Sequence, residues 1–177
     1  MQLYKSMLVL AISGVSTAAL AAATENAPVP EPKVFVEKAA ISGLAEVELG
    51  RLALMKSRDE NVREFAQRMV TDHTKANQEL TTIASSKGIM PPKSLDAEHQ
   101  SHVKMLRDKN GADFDKAYSD HMKMDHMKAI SLFEGASRSD DTALAGFAKK
   151  TLPTLKEHKQ LAQKLPADGK TGKEGKQ

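Results

Sequence analysis

The chain has 177 residues, a formal net charge of +3 at pH 7 and no cysteine. That length suits one domain, and the lack of cysteine excludes both a disulfide framework and a lipid-anchored lipoprotein. Acidic and basic residues are interspersed, and there are two tyrosines and no tryptophan. We therefore expect no nucleic-acid partner.

The N-terminal segment has the composition of an export signal. Lys5 is the only charged residue before Glu25, an apolar run follows it, and Ala19-Leu20-Ala21 supplies the small residues that a signal peptidase needs. We predict a signal peptide over residues 1–21, a periplasmic location and no transmembrane span in the mature chain. An uncleaved N-terminal anchor is the alternative interpretation.

The remaining chain divides into a bundle domain and two flanking segments. Residues 22–33 contain three prolines and predict an extended linker. Residues 166–177 are rich in glycine and lysine and predict a disordered tail. The domain between them, residues 34–165, carries apolar residues at helical spacing throughout, and we predict no strand.

Four long helices and one short helix are predicted in this domain. Asp59 is a predicted N-cap and Gly88 a predicted helix stop, while Ser94 is predicted to start the short helix. Pro153 is expected to kink or restart the last helix. The predicted ranges are Val34 to Ser57, Glu60 to Lys87, Leu95 to Lys109, Asp113 to Ala136 and Asp141 to Leu165.

The lengths of the connections predict the fold. Tight links between the first two and the last two long helices make two antiparallel hairpins, and a long crossover carries the short helix between them. The second and third long helices then run parallel. We therefore predict an all-α, ferritin-like four-helix bundle.

Each long helix places a polar residue on its apolar face. Glu46 lies in a stripe of small residues, and His73, His126 and His158 lie in stripes of larger apolar residues. A buried carboxylate is unfavourable unless it is paired or bound to a cation. These four residues predict a metal site, with His121 and Tyr118 as neighbours. Two other interpretations remain open: a metal-free hydrogen-bonded network of Glu46, Tyr118 and the histidines that fixes helix register, and surface histidines without a role.

Counting residues from each hairpin turn estimates the level of a residue along the bundle axis, and these levels predict that only some of the polar residues meet. Glu46 and His73 lie nearly level, but His126 is expected about 9 Å from the level of His158 unless a kink at Pro153 or a wider turn absorbs the difference. His121 is therefore considered as a substitute for His126. The acidic residues next to the histidines, such as Asp72, are expected to orient them only across helix interfaces.

The donor types restrict the expected chemistry. Carboxylate and imidazole favour a single transition metal ion, with zinc, copper or iron as candidates. A di-iron centre is disfavoured because Val70 and Leu155 stand where the Glu-x-x-His motif needs glutamate. The methionines around His126 are interpreted as core residues rather than copper ligands. His99 and His102 are expected on the surface and are assigned no role.

Several short motifs, in a fixed order, resemble the bacterial domain-of-unknown-function 4142 family. The resemblance implies an exported ferritin-like bundle in the periplasm or associated with the outer membrane, with no established activity. It also implies recurrent polar positions at Glu46, His73, Tyr118, His126 and His158. The motifs that carry it are Phe35 to Ala39, Gly43-x-x-Glu46, Phe65-Ala66, Met69-Val70-x-Asp72-His73, Phe114-Asp115-x-x-Tyr118, Asp125-His126 and Leu152-Pro153-x-Leu155-x-x-His158.

Three hypotheses about function follow. The first is a non-enzymatic protein of the cell envelope, associated with stress, that binds a metal ion or senses pH through its buried glutamate and histidines. The second is a metal-dependent oxidase or hydrolase in the bundle core. The third is a structural or interaction module with an envelope protein as its partner.

Overall fold

The computed structural model describes residues 27–166, which form five α-helices and no strand. The predicted signal peptide and residues 167–177 of the predicted tail lie outside the described residues. None of the described helices is both long enough and apolar enough to cross a bilayer. The helices are α1 (Pro32–Lys56), α2 (Glu60–Ser86), α3 (Ala97–Arg107), α4 (Gly111–Ala136) and α5 (Thr142–Ala162).

Local sequence signals explain most helix boundaries. Asp59 caps α2 as predicted, since its Oδ1 accepts hydrogen bonds from the backbone N–H groups of Asn61 and Val62. The predicted start of the short helix at Ser94 is wrong. Its N-cap is Asp96, which accepts from the N–H of His99.

Proline has different consequences in the first helix and in the last helix. The first helix begins at Pro32 rather than at the predicted Val34. Proline is tolerated in the first turn of a helix because the backbone N–H that it lacks would have no partner within the helix at that position. Pro153 does not interrupt α5, which continues to Ala162. The last helix ends before the predicted Leu165, but Leu165 is still buried against the core.

The helices form two hairpins, α1 with α2 and α4 with α5, and the hairpins meet through α1 with α4 and α2 with α5. The N-terminal halves of α2 and α4 and the C-terminal parts of α1 and α5 share one apolar cluster. Thus α2 and α4 run parallel, as the long crossover predicts, and the predicted all-helical bundle is confirmed.

Two apolar clusters occupy opposite ends of the bundle, and the polar residues lie between them. The Phe114 cluster fills one end and includes Tyr118 and Met122. The Phe147 cluster fills the other end and includes Phe35 and Phe133, whose rings meet edge to face at 5.1 Å. Since α1, α2, α4 and α5 all pass from one cluster to the other, their central residues form a buried layer halfway along the bundle.

Glycine permits the close contact of α1 and α2. A Cβ added to Gly50 would lie 2.9 Å from Cγ2 of Val70 and 3.0 Å from the carbonyl oxygen of Ala66. By contrast, Gly146 on the exposed face of α5 has no atom within 4 Å of such a Cβ. The same substitution at the two glycines should therefore change the free energy of unfolding in opposite directions.

We predict that Gly50→Leu lowers the free energy of unfolding by about 1–3 kcal/mol, because it forces α1 away from α2. Gly146→Leu should raise it by about 0.5–1 kcal/mol, since leucine is the better helix former and meets no neighbour. Urea denaturation of the three proteins measures both changes. Equal changes in the two variants would show that Gly50 is not a packing position.

Candidate metal centre

Three histidines from three helices meet in the central layer. His73 of α2, His126 of α4 and His158 of α5 are all buried. Their ring centroids are separated by 5.7 Å, 5.5 Å and 5.4 Å, which is nearly an equilateral triangle. One ring nitrogen of each histidine lies within 4.8 Å of the others. Among the described residues, these three histidines have the spacing of metal ligands.

The predicted separation in height between His126 and His158 is wrong. Side chains of a helix tilt toward its N-terminus, and α4 and α5 run in opposite directions. His126 therefore tilts away from the turn that joins the two helices, and His158 tilts toward it. Opposite tilts of this kind shorten the distance between the two side chains, and the ring centroids lie 5.4 Å apart.

The ring orientation of His126 is set by its own helix. Its Nδ1 lies 2.9 Å from the carbonyl oxygen of Met122. A carbonyl oxygen only accepts hydrogen bonds, so Nδ1 carries the proton and donates it. The Nε2 atom is left with a free lone pair and has no hydrogen-bond partner among the described residues.

The ring orientation of His158 is set by a carboxylate from another helix. Its Nε2 lies 2.9 Å from Oδ2 of Asp72 on α2. The carboxylate accepts the Nε2 proton, so Nδ1 of His158 keeps its lone pair. The side chain of Asp72 is 37 % exposed and that of His158 is 1 % exposed, so this pair joins the central layer to the surface. Asp72, next to His73, thus acts across a helix interface as expected, whereas Asp125, next to His126, contacts His121 on its own helix.

Each of the three histidines thus presents one buried nitrogen without a hydrogen-bond partner among residues 27–166. These atoms are Nε2 of His73, Nε2 of His126 and Nδ1 of His158. Buried polar atoms normally have a partner, since an unpaired one destabilises the fold by about 1–3 kcal/mol. One nitrogen of each ring lies within 4.8 Å of the others, and two of the rings are held by a hydrogen bond at their other nitrogen, as is usual for histidine metal ligands.

The surroundings keep the three imidazoles neutral. Burial lowers the pKa of His73 well below its usual value, and the neighbouring His126 and His158 lower it further. Burial also lowers the pKa of His126, to about 4, despite the hydrogen bond to Met122. The pKa of His158 is lowered by burial, which outweighs the opposing effect of Asp72. Neutral imidazole is the form that binds metal.

Glu46 and Tyr118 border this group. The Oε1 atom of Glu46 lies 3.8 Å from Nδ1 of His126, on the side that binds the Met122 carbonyl rather than on the side of the free lone pair. Burial and the charge of Asp125 raise the pKa of Glu46 well above its usual value. Burial and Glu46 raise the pKa of Tyr118. The structure therefore places Glu46 beside His126 and Tyr118 within the electrostatic influence of Glu46, and neither residue belongs to the three-nitrogen group.

His121 does not substitute for His126. Its Nε2 lies 2.8 Å from Oδ2 of Asp125, one turn further along α4, and its ring contacts that of His102 at 5.0 Å between centroids. His99 contacts His102 in turn. This second group was not predicted, although the i, i+3 spacing of His99 and His102 and the i, i+4 spacing of His121 and Asp125 would have indicated it.

The predicted core position is correct for one of the methionines around His126 and wrong for two. Met122 is fully buried in the Phe114 cluster. Met124 and Met127 are 51 % and 58 % exposed. The physical reason is the helical angle of about 100° per residue, which turns neighbours of a buried residue outward.

These features define a class of protein: an all-helical bundle of the ferritin-like type with three uncharged histidines at its centre. The chain belongs to the family described as "Domain of unknown function (DUF4142)", whose model matches residues 17–165. The resemblance found in the sequence motifs is confirmed.

One solved structure with a similar fold is the "Crystal structure of DUF305 fragment from Deinococcus radiodurans". The superposition has a TM-score of 0.67 at 14% sequence identity, covering 77% of this chain and 95% of that one. At this identity the likeness concerns the fold alone. Comparison with curated protein sequences gives no match.

Proposed function

We propose that this protein is an exported, non-enzymatic metal-binding protein of the cell envelope. It would hold a single transition metal ion, with zinc, copper or iron as candidates, between His73, His126 and His158. The observation that carries the proposal is the meeting of three buried, unpartnered imidazole nitrogens from three helices.

The donor set supports this proposal chemically. Three imidazoles suit zinc, copper and iron, and metal–nitrogen bonds of about 2.0–2.1 Å place the three donors about 3.4 Å apart. Small side-chain rotations would close the observed triangle to that spacing. The Met122 carbonyl and the Asp72 carboxylate already hold the other nitrogens of two rings, so little orientational freedom would be lost on binding.

The space beside the histidines favours binding over catalysis. A cavity of about 20 Å³ adjoins His73 and is lined also by Gly43, Asn77 and Thr151. A cavity of this size holds one water molecule. It gives no room for an organic substrate, which supports a binding protein over an oxidase or hydrolase.

Export to the periplasm is part of the proposal. It is supported by the apolar run and the Ala19-Leu20-Ala21 site of the predicted signal peptide. The absence of cysteine fits a compartment in which free thiols oxidise.

Elemental analysis of untagged protein isolated from its own cell envelope tests the proposed function. We expect His73→Leu to contain about one equivalent less transition metal than the wild type, because one of three ligands is lost. Met69→Leu, a buried position one turn earlier on the same helix, is the matched control and should keep the wild-type content. Equal metal content in His73→Leu and wild type, or no metal in the wild type, would leave the structural or interaction module as the better interpretation.

A further inference from the structure

We propose that His99, His102, His121 and Asp125 form a second transition-metal site, which takes Zn²⁺ or Cu²⁺ at the surface between α3 and α4. These residues are separate from the three histidines of the core. The proposal therefore does not depend on the proposed function.

The contacts of these four residues run continuously from α3 to α4. The ring centroids of His99 and His102 are 6.3 Å apart, and those of His102 and His121 are 5.0 Å apart. Nε2 of His121 lies 2.8 Å from Oδ2 of Asp125. Three imidazoles and a carboxylate are the donor set of many zinc and copper sites.

The buried member of the group has an unsatisfied nitrogen. His121 is 5% exposed, and its Nε2 has no partner of hydrogen-bond geometry among the described residues, although Asp125 is close. Nε2 of His121 and Oδ2 of Asp125 lie 2.8 Å apart on one face of α4, one helical turn from each other, so an imidazole and a carboxylate stand next to each other at the inner end of the group. An ion bound here would satisfy both.

His99 is held by a carboxylate of its own. Its Nδ1 lies 2.7 Å from Oδ1 of Asp96, the N-cap of α3. The carboxylate accepts the Nδ1 proton, so Nε2 keeps the lone pair that a metal needs. A carboxylate behind a ligating histidine is common in metal sites, where it fixes the tautomer and strengthens the ligand.

The group is accessible from solvent. His99, His102 and Asp125 line an open cleft of about 910 Å³ between α3, α4 and the start of α1. Within the described residues, only the core group brings its ligand atoms within 4.8 Å of one another. The cleft site therefore needs rotation of the half-buried His102, together with a smaller adjustment of His99 that keeps its contact with Asp96. Lys38 and Lys128 also line the cleft, together with the acidic residues Glu37, Asp96, Glu98 and Asp125.

Equilibrium dialysis of the metal-free chain against Zn²⁺, and separately against Cu²⁺, tests the second site. We expect two equivalents for the wild type, one for His73→Leu and none for His73→Leu combined with His99→Gln and His102→Gln. Circular dichroism checks that each variant is folded, and His158→Gln replaces His73→Leu if that variant unfolds. Glu98→Gln, which changes an acid of the same cleft outside the group, is the matched control and should keep two equivalents.

The outcomes separate the two metal sites. Asp125→Asn in the His73→Leu background should weaken binding more than about tenfold, since a charged ligand is lost. No binding by folded His73→Leu would overturn the cleft site and leave the core site intact. Two equivalents in the wild type with His99→Gln and His102→Gln would also overturn it. Undiminished binding in His73→Leu would contradict the core site instead.

Discussion

Saturating Zn²⁺ is expected to raise the melting temperature of the metal-free protein by about 5–10 °C. An ion that binds only the folded chain, at a concentration 100-fold above its Kd, adds about 2.7 kcal/mol of stability. For a chain of this size, each kcal/mol shifts the melting temperature by about 2–4 °C. Differential scanning fluorimetry after treatment with a chelator measures the shift.

The variant His73→Leu should separate metal binding from stability. Without metal, its melting temperature should equal or exceed that of the wild type, because leucine replaces a buried imidazole whose Nε2 is unpartnered. In saturating Zn²⁺, the variant should lose the part of the rise in melting temperature that comes from the core site. A structural role for His73 predicts the opposite, a lower melting temperature without metal.

Two further variants test how the rise in melting temperature depends on the core site. Asp72→Asn keeps an acceptor for His158 but removes the charge, so metal affinity should fall by about 10–100-fold and the rise should shrink without vanishing. Met69→Leu should keep the full rise, because it changes only apolar packing next to the site. An unchanged rise in both His73→Leu and Asp72→Asn would place the responsible ion elsewhere.

The fold could be predicted from the sequence because its signals are local and repeated. Apolar spacing marks each long helix, Asp59 marks a start, and the unequal connections decide which helices run parallel. The burial of His73, His126 and His158 could be predicted for the same reason, since each occupies a place in an apolar stripe.

The geometry of the site could not be predicted because it depends on directions rather than positions. Counting residues from a turn gives the height of a backbone atom, whereas the imidazoles of His126 and His158 meet through opposite side-chain tilts. The sequence also gives no sign of which ring nitrogen is free. That depends on the Met122 carbonyl and on Asp72, a contact between α2 and α5.

The surface cluster was missed for a related reason. His99 and His102 lie on the short crossover helix, whose position against α4 is set by tertiary packing and not by a local pattern. Their i, i+3 spacing places the two histidines on one face of α3, but it does not indicate which residues of the bundle they meet. They become informative only when α3 brings them to His121.

Acid is expected to destabilise the metal-free protein strongly. The unfolded chain protonates its histidines below about pH 6.5, whereas the folded chain keeps the three core imidazoles neutral. The unfolded state then binds more protons, so stability falls as the pH falls. For His126, whose pKa is lowered to about 4, the loss runs from about pH 6.5 to pH 4 and reaches about 2 kcal/mol at pH 5. His73 and His158 act in the same direction.

Glu46 opposes this trend and makes the measurement more informative. Its pKa is raised by burial and by Asp125, so above its usual pKa the unfolded chain releases a proton that the folded chain keeps. Stability therefore falls as the pH rises through that range. Three histidines against one glutamate should still give a net loss toward acid. Glu46→Gln should steepen the loss by removing the opposing group.

Urea denaturation with a chelator present, at about pH 7 and about pH 5, measures this dependence. The variant His126→Phe keeps an aromatic ring against Phe65 and removes one titrating group, so its stability should change less between the two pH values. Met69→Leu should show the wild-type change. A Glu46→Gln protein equally stable at both values, in which the opposing carboxyl is gone, would mean that the imidazoles take up protons inside the fold, and a neutral three-histidine core would then be untenable.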